Sequence, residues 1–141
     1  MAYVRHKPGL ARRLAIYTLA MVVLPLCAHA VYHVRKGGPA TYWEADWSST
    51  GLLPRPADHP AAMVRIFAAR TGRWRGIFAV HTWIVIKDRN GLSYQRFDKV
   101  GWGTPIRVNA YPPDGRWYSN LYTTVYAADG AEAEELVPAI R

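Results

Sequence analysis

The stretch GIFAVHTWIVIKDRNG, Gly76 to Gly91, decides how the rest of this 141-residue chain is read. From Ile77 to Lys87 it is dense in β-branched and aromatic residues, the composition of a strand, and DRNG supplies the chemistry of a hairpin turn. Side chains alternate faces along a strand. Phe78, Val80, Thr82, Ile84 and Ile86 therefore share one side and are expected in the core, while Ile77, Ala79, His81, Trp83, Val85 and Lys87 share the other. The second side is apolar too, apart from His81 and Lys87, so the strand is expected to be central and covered on both faces.

The returning strand, Leu92 to Val100, sets the surroundings of His81. If Asp88 to Gly91 form a four-residue loop, His81 pairs with Asp98 and Trp83 with Arg96. If Asn90-Gly91 alone form the loop, His81 faces Val100 and Asp98 moves to the diagonal position on the same face. An odd loop separates the two. A carboxylate beside an imidazole fixes its tautomer and stabilises its protonated form, so His81 and Asp98 are the candidate catalytic pair. The competing reading is a core histidine satisfied by one hydrogen bond, with Asp98 in an ion pair to Lys99 or Arg96. Trp83, Arg96 and Trp102 of the GWGTP turn are the candidate substrate contacts.

Outward from this hairpin, 61–70 alternates as a strand, TGRWRG turns, Ile106 to Asn109 forms a short strand, YPPDGR turns again, and 117–127 reads as a last strand. In DGAEAEELVPAIR, Asp129 is the expected cap of a final helix with Glu132 three residues on, and Leu136 and Ile140 on one face. The expected fold is α+β: an antiparallel sheet of four or five strands with a C-terminal helix over residues 62–141.

Before it, residues 1–13 are basic, and 14–34 contain no Asp, Glu, Lys or Arg for 21 residues. That length crosses a hydrocarbon core of about 30 Å. Arg5, Lys7, Arg12 and Arg13 precede it and Arg35 and Lys36 follow, so the amino terminus is expected in the cytoplasm and the domain in the periplasm of a bacterial inner membrane. The alternative is a signal peptide cleaved near Ala30, after Ala28-His29-Ala30. Residues 35–61, rich in Pro and Gly, read as a linker in which Trp43 and Trp47 either lie at the membrane interface or pack onto the domain.

The net charge of +8 is concentrated in the first 36 residues, which carry six cations and no acid. The remaining 105 hold 12 basic and 10 acidic side chains, too balanced for phosphate-backbone binding, so no nucleic-acid partner is expected. Arg65, Arg70, Arg73 and Arg75 interleave with Phe67 and Trp74, either as a reader of anionic lipid headgroups or as solvated sheet edges. Cys27, the single cysteine, lies in the apolar segment, so the exported part has no disulfide, thiolate metal site or cysteine nucleophile. None of Ser48, Ser49, Ser93 and Ser119 sits in a nucleophile elbow, and His59, in the linker, has no second ligand at a useful spacing. No metal, no cofactor and no complete catalytic site are expected.

The segments WSSTGLLP, FAVHTWIVIK, VGWGTPIRVN, PDGRWYSN and GAEAEELVPAI, in that order behind an amino-terminal span, resemble an uncharacterised bacterial membrane-protein family, domain of unknown function thirty-seven fifty. The resemblance implies that the chain continues past the position of Arg141, making it a truncated member. A looser resemblance, to the permuted papain-like group that includes peptidoglycan peptidases and lecithin-retinol acyltransferases, implies His81 as base and Asp98 as its orienting residue. It also implies a cysteine on a later helix, which this sequence lacks. Taken together, these readings give a membrane-anchored periplasmic domain in envelope-associated binding or structure, or an incomplete hydrolase or acyltransferase of the permuted type.

Overall fold

A computed structural model describes residues 9–101 and 103–141. The chain divides into two compact units, one up to Gly37 and one from Gly38 to Arg141.

The first unit is helical from Leu10 to Lys36, 27 residues with a mean hydropathy of 2.1, long and apolar enough to cross a membrane. A membrane anchor and a signal sequence share these properties. It runs as α1 (Leu10–Thr18), a π-helical turn (Leu19–Val23) and α2 (Leu24–Lys36). Pro25 has no N–H, and its ring crowds the carbonyl four residues back, Met21. The wider turn lies just where that crowding must be relieved. Arg35 and Lys36 occupy the last turn, where cations complement the helix dipole.

The second unit is built on a five-stranded antiparallel sheet in the order β4-β3-β2-β1-β5, with β1 Met63–Arg70, β2 Val80–Lys87, β3 Gln95–Lys99, β4 Ile106–Val108 and β5 Thr123–Asp129, closed by helix α3, Ala131–Ile140. The α+β class and the central position of β2 match the sequence reading. Trp83 pairs with Asp98 and Ile86 with Gln95, the register in which His81 faces Val100 and Asp98 lies diagonal to it. Gly91 N donates to Asp88 O at 3.0 Å to close the turn, and Asn90 takes a positive φ of 56°.

One sheet face packs under α3: Val64, Ile86 and Ala128 meet Ala133 and Val137. The other, carrying Phe67, Ala69, Trp83 and Val85, is covered by Trp117 and a ring of aromatics from the flanking loops. The ten residues of α3 reach only the Ile86 end of their face. Phe78 is 62 % exposed, Val80 57 %, and Thr82 is exposed as well, so these three do not enter the core as expected. Ile77 and Phe78 also precede the strand, because Arg73–Ile77 wind into a 3-10 turn.

Two other local expectations are corrected. Asp129 does not cap α3. It ends β5 and binds Arg65 Nη2 through both carboxylate oxygens at 2.9 and 2.8 Å. The cap position is Gly130, whose φ of 63° turns the strand into the helix while its N–H donates to Ala62 O at 3.0 Å. Glu132 accepts from the Tyr126 hydroxyl at 2.6 Å instead of reaching back to the helix start. The last strand begins at Thr123, because Trp117 to Asn120 form a turn with Tyr118 and Ser119 both at positive φ.

Candidate functional site

β2 and β3 bring His81 and Asp98 together. His81 Nε2 lies 2.7 Å from Asp98 Oδ1, across the diagonal of the register. Asp98 is a buried carboxylate, and Arg96, two residues away on the same strand face, meets it edge to edge: Nε to Oδ2 at 2.8 Å and Nη2 to Oδ1 at 2.8 Å. Arg96 is 0 % exposed and Asp98 1 %. Burial pushes the Asp98 carboxyl up, but the hydrogen bonds from His81 and Arg96 and the Arg96 charge outweigh it, and the pKa is lowered. An ionised Asp98 accepts, so Nε2 of His81 carries the proton and Nδ1 is the nitrogen left for a second partner.

Arg96 and Trp83 also brace the loop above them. Arg96 Nη1 donates to Pro112 O at 2.8 Å, its backbone N–H to Asn109 Oδ1 at 2.8 Å, and its guanidinium lies 4.2 Å from the Trp83 ring. Trp83 Nε1 donates to Pro113 O at 2.9 Å. The loop so held delivers Trp117, whose ring stacks on His81 with centroids 3.6 Å apart and planes 13° apart. A second carboxylate, Asp114, ties the segment before β1 to this loop. It accepts from Ser49 Oγ at 2.6 Å, Thr50 Oγ1 at 3.1 Å and Leu52 N at 3.1 Å. Burial raises the Asp114 pKa, but the hydrogen bonds from Ser49, Thr50 and the backbone more than offset it, and the net direction is down. Tyr111, half-buried, is pushed up to about 12 by loss of solvent and by its hydrogen bond to Tyr42, and stays a neutral phenol.

The other expected site residues divide. Trp83, 1 % exposed, and Arg96 are sealed inside the domain, so they hold the site together and do not face a ligand. Trp102 lies outside the described residues. Trp47 packs onto the domain, stacked on Tyr111 and edge-on to Trp117, while Trp43 is exposed. Accordingly the Pro/Gly-rich segment after Gly38 is a strap over the aromatic face. The stacking of Trp117 on His81 and the hub at Asp114 are not visible in the spacing; their only trace is the Trp beside a Pro-Gly turn in PPDGRW.

Chemically, the cluster can hold an imidazole in one tautomer with Nδ1 as acceptor. His81 is 10 % exposed in its side chain, and no hydroxyl or thiol is hydrogen-bonded to it among the described residues. An open cavity of about 570 Å³ lies at the far end of the sheet, between Asp88, Arg89, Glu134 and Arg141, and not beside His81. Among the described residues no group of three His, Cys, Asp or Glu is placed to hold a metal. His59 Nε2 lies 3.4 Å from Asp129 Oδ1, too poorly aligned for a hydrogen bond.

Residues 61–141, the sheet and helix with the His81 cluster inside them, match the family described as Protein of unknown function (DUF3750). The chain belongs to this family. No curated protein and no solved structure matches it. The family boundary at residue 61 leaves out the strap, although Trp47, Ser49 and Thr50 complete the packing of the DUF3750 domain here.

Proposed function

We propose that the chain is a membrane-anchored domain facing the periplasm, with an envelope-associated binding or structural role. The observation that carries this is the Leu10–Lys36 helix, preceded or opened by Arg5, Lys7, Arg12 and Arg13 and closed by Arg35 and Lys36, a charge bias that keeps the amino terminus in the cytoplasm. The His81–Asp98–Arg96 cluster serves this role as a brace. One carboxylate is shared by two cationic or proton-donating partners, and each partner pins a loop. Reporter fusions after Arg141 test the topology: alkaline phosphatase is expected to be active and green fluorescent protein dark, with the chain in the carbonate-washed membrane. A fluorescent fusion would place the domain in the cytoplasm and overturn the reading.

The 2.7 Å His81–Asp98 contact favours a second reading, half of an acid–base site in a permuted papain-like hydrolase or acyltransferase, whose nucleophile comes from outside the described residues. The His81→Gln variant separates the two. As a brace residue, its loss lowers stability by about 1–3 kcal/mol and leaves any ester or amide turnover unchanged. As a base, its loss cuts turnover by about 100-fold or more with unfolding unaffected.

A further inference from the structure

Among the described residues the α3 face of the sheet is only half covered, and the uncovered half has a definite chemistry. Val80 on β2 and Ile106 and Val108 on β4 lie on this face, all more than half exposed. Lys99 shares it, paired with Ile106. At the same end of the sheet, the turn between β1 and β2 adds Trp74 and Phe78, both exposed, with the Arg75 guanidinium 5.5 Å from the Trp74 ring and Arg73 beside it.

No acid lies on the strand ends and the turn that form this patch. Between His59 and Pro113 the only acids are Asp98, buried and bound to Arg96, and Asp88, at the far end of β2. Asp129, Glu132, Glu134 and Glu135 lie at that far end too, on β5 and α3. Asp46 lies across the sheet, on the aromatic face, paired with Arg116 at 3.4 Å. No carboxylate pairs with Arg75 or Lys99 among the described residues.

We infer that this end of the sheet docks on the surface of an anionic lipid bilayer, with Trp74, Phe78 and Val80 at the level of the acyl boundary and Arg75 and Lys99 at the phosphates. An exposed apolar patch calls for a cover. Aromatic and aliphatic side chains bordered by cations match the layered polarity of a membrane interface, apolar below and anionic above. A second copy laid face to face would oppose the same cations, a repulsion no local acid relieves. The inference deepens the proposed role by naming what the domain binds, and it rests on the anchored reading for the nearness of a bilayer.

The test uses the full chain in nanodiscs of phosphatidylcholine, with and without phosphatidylglycerol, followed by hydrogen exchange over residues 73–80. Exchange is expected to slow at least about fivefold in the anionic discs, the size that one basic side chain contributes at such a surface, and to recover in high salt. Arg75→Glu with Lys99→Glu, both exposed, removes the protection while exchange in the Val85 core strand stays as in the parent; Phe78→Ala weakens it. Equal exchange in both lipids, or protection that follows chain concentration and not lipid charge, overturns the docking. A chain that does not co-purify with discs at all overturns the anchor instead, so the two failures are distinguishable.

Discussion

Asp98 is the residue on which most of the buried polar structure converges. Three donors reach its two oxygens, and the carboxylate itself lies out of water. Removing one partner of such a pair leaves an uncompensated buried charge, which costs more than the pair contributes. Asp98→Asn is expected to lower stability by about 3–5 kcal/mol, measured by chemical denaturation, since Arg96 keeps its charge at 0 % exposure. Replacing Arg96 and Asp98 together by Met and Leu is expected to cost much less. The sign with pH follows from the lowered pKa of Asp98, which Asp114 shares. Both contribute stability that is fully present above the unfolded-state carboxylate value of about 3.9 and is lost as pH falls through their lower folded values. Denaturation midpoints are therefore expected to fall below about pH 4. In Asp98→Asn that acid limb is shallower; an unchanged limb would show that the carboxylate is not what acid attacks.

Among the elements, β2 and its returning partner are the ones the sequence makes plain. Alternation, β-branched composition and DRNG turn chemistry mark the hairpin, and both even registers, though not an odd one, put His81 and Asp98 on one face. Which even register forms is decided by packing: Trp83 opposite Asp98 sets Arg96 over the Trp83 ring and under Pro112. The end of β5 and the start of α3 were less legible. Asp129 and Glu132 spell a capping box, but Arg65 on the neighbouring strand and Tyr126 outcompete the helix N–H groups for them. The turn after β1 holds a close approach that sequence alone does not reveal, because a Cβ on Gly72 would overlap the Tyr118 ring. Gly72→Ala is expected to cost about 1–3 kcal/mol by overpacking, and pairing it with Tyr118→Ser is expected to recover part of that loss in a double-mutant cycle. Additive losses would remove the contact from the account.

At the scale of the whole molecule, charge is segregated twice. Along the chain it is packed into the first 36 residues, which is legible by counting. Within the sheet it separates an acid-rich α3 end from a patch whose strand ends and turn carry no acid, and this appears only when the strands are aligned, because Lys99 and Ile106 are distant in sequence from Arg75 and Val80. The strap from Gly38 to Pro60 shows the same limit. Its Pro and Gly content reads as a linker, yet Trp47 and the hydroxyls of Ser49 and Thr50 tie it to a loop more than 60 residues away.

The sequence by itself determined the apolar helix and its charge bias, the central strand, and His81 and Asp98 as candidate neighbours across its hairpin, because hydrophobic length, period-two alternation and turn chemistry are all local quantities. Only the tertiary structure decided that Arg96 and Trp83 are interior, that Trp117 lies on His81, and that the described residues leave half of one sheet face bare. Those outcomes depend on which distant segments compete for the same surface and the same hydrogen-bond donors, and a ten-residue helix is too short to cover five strands.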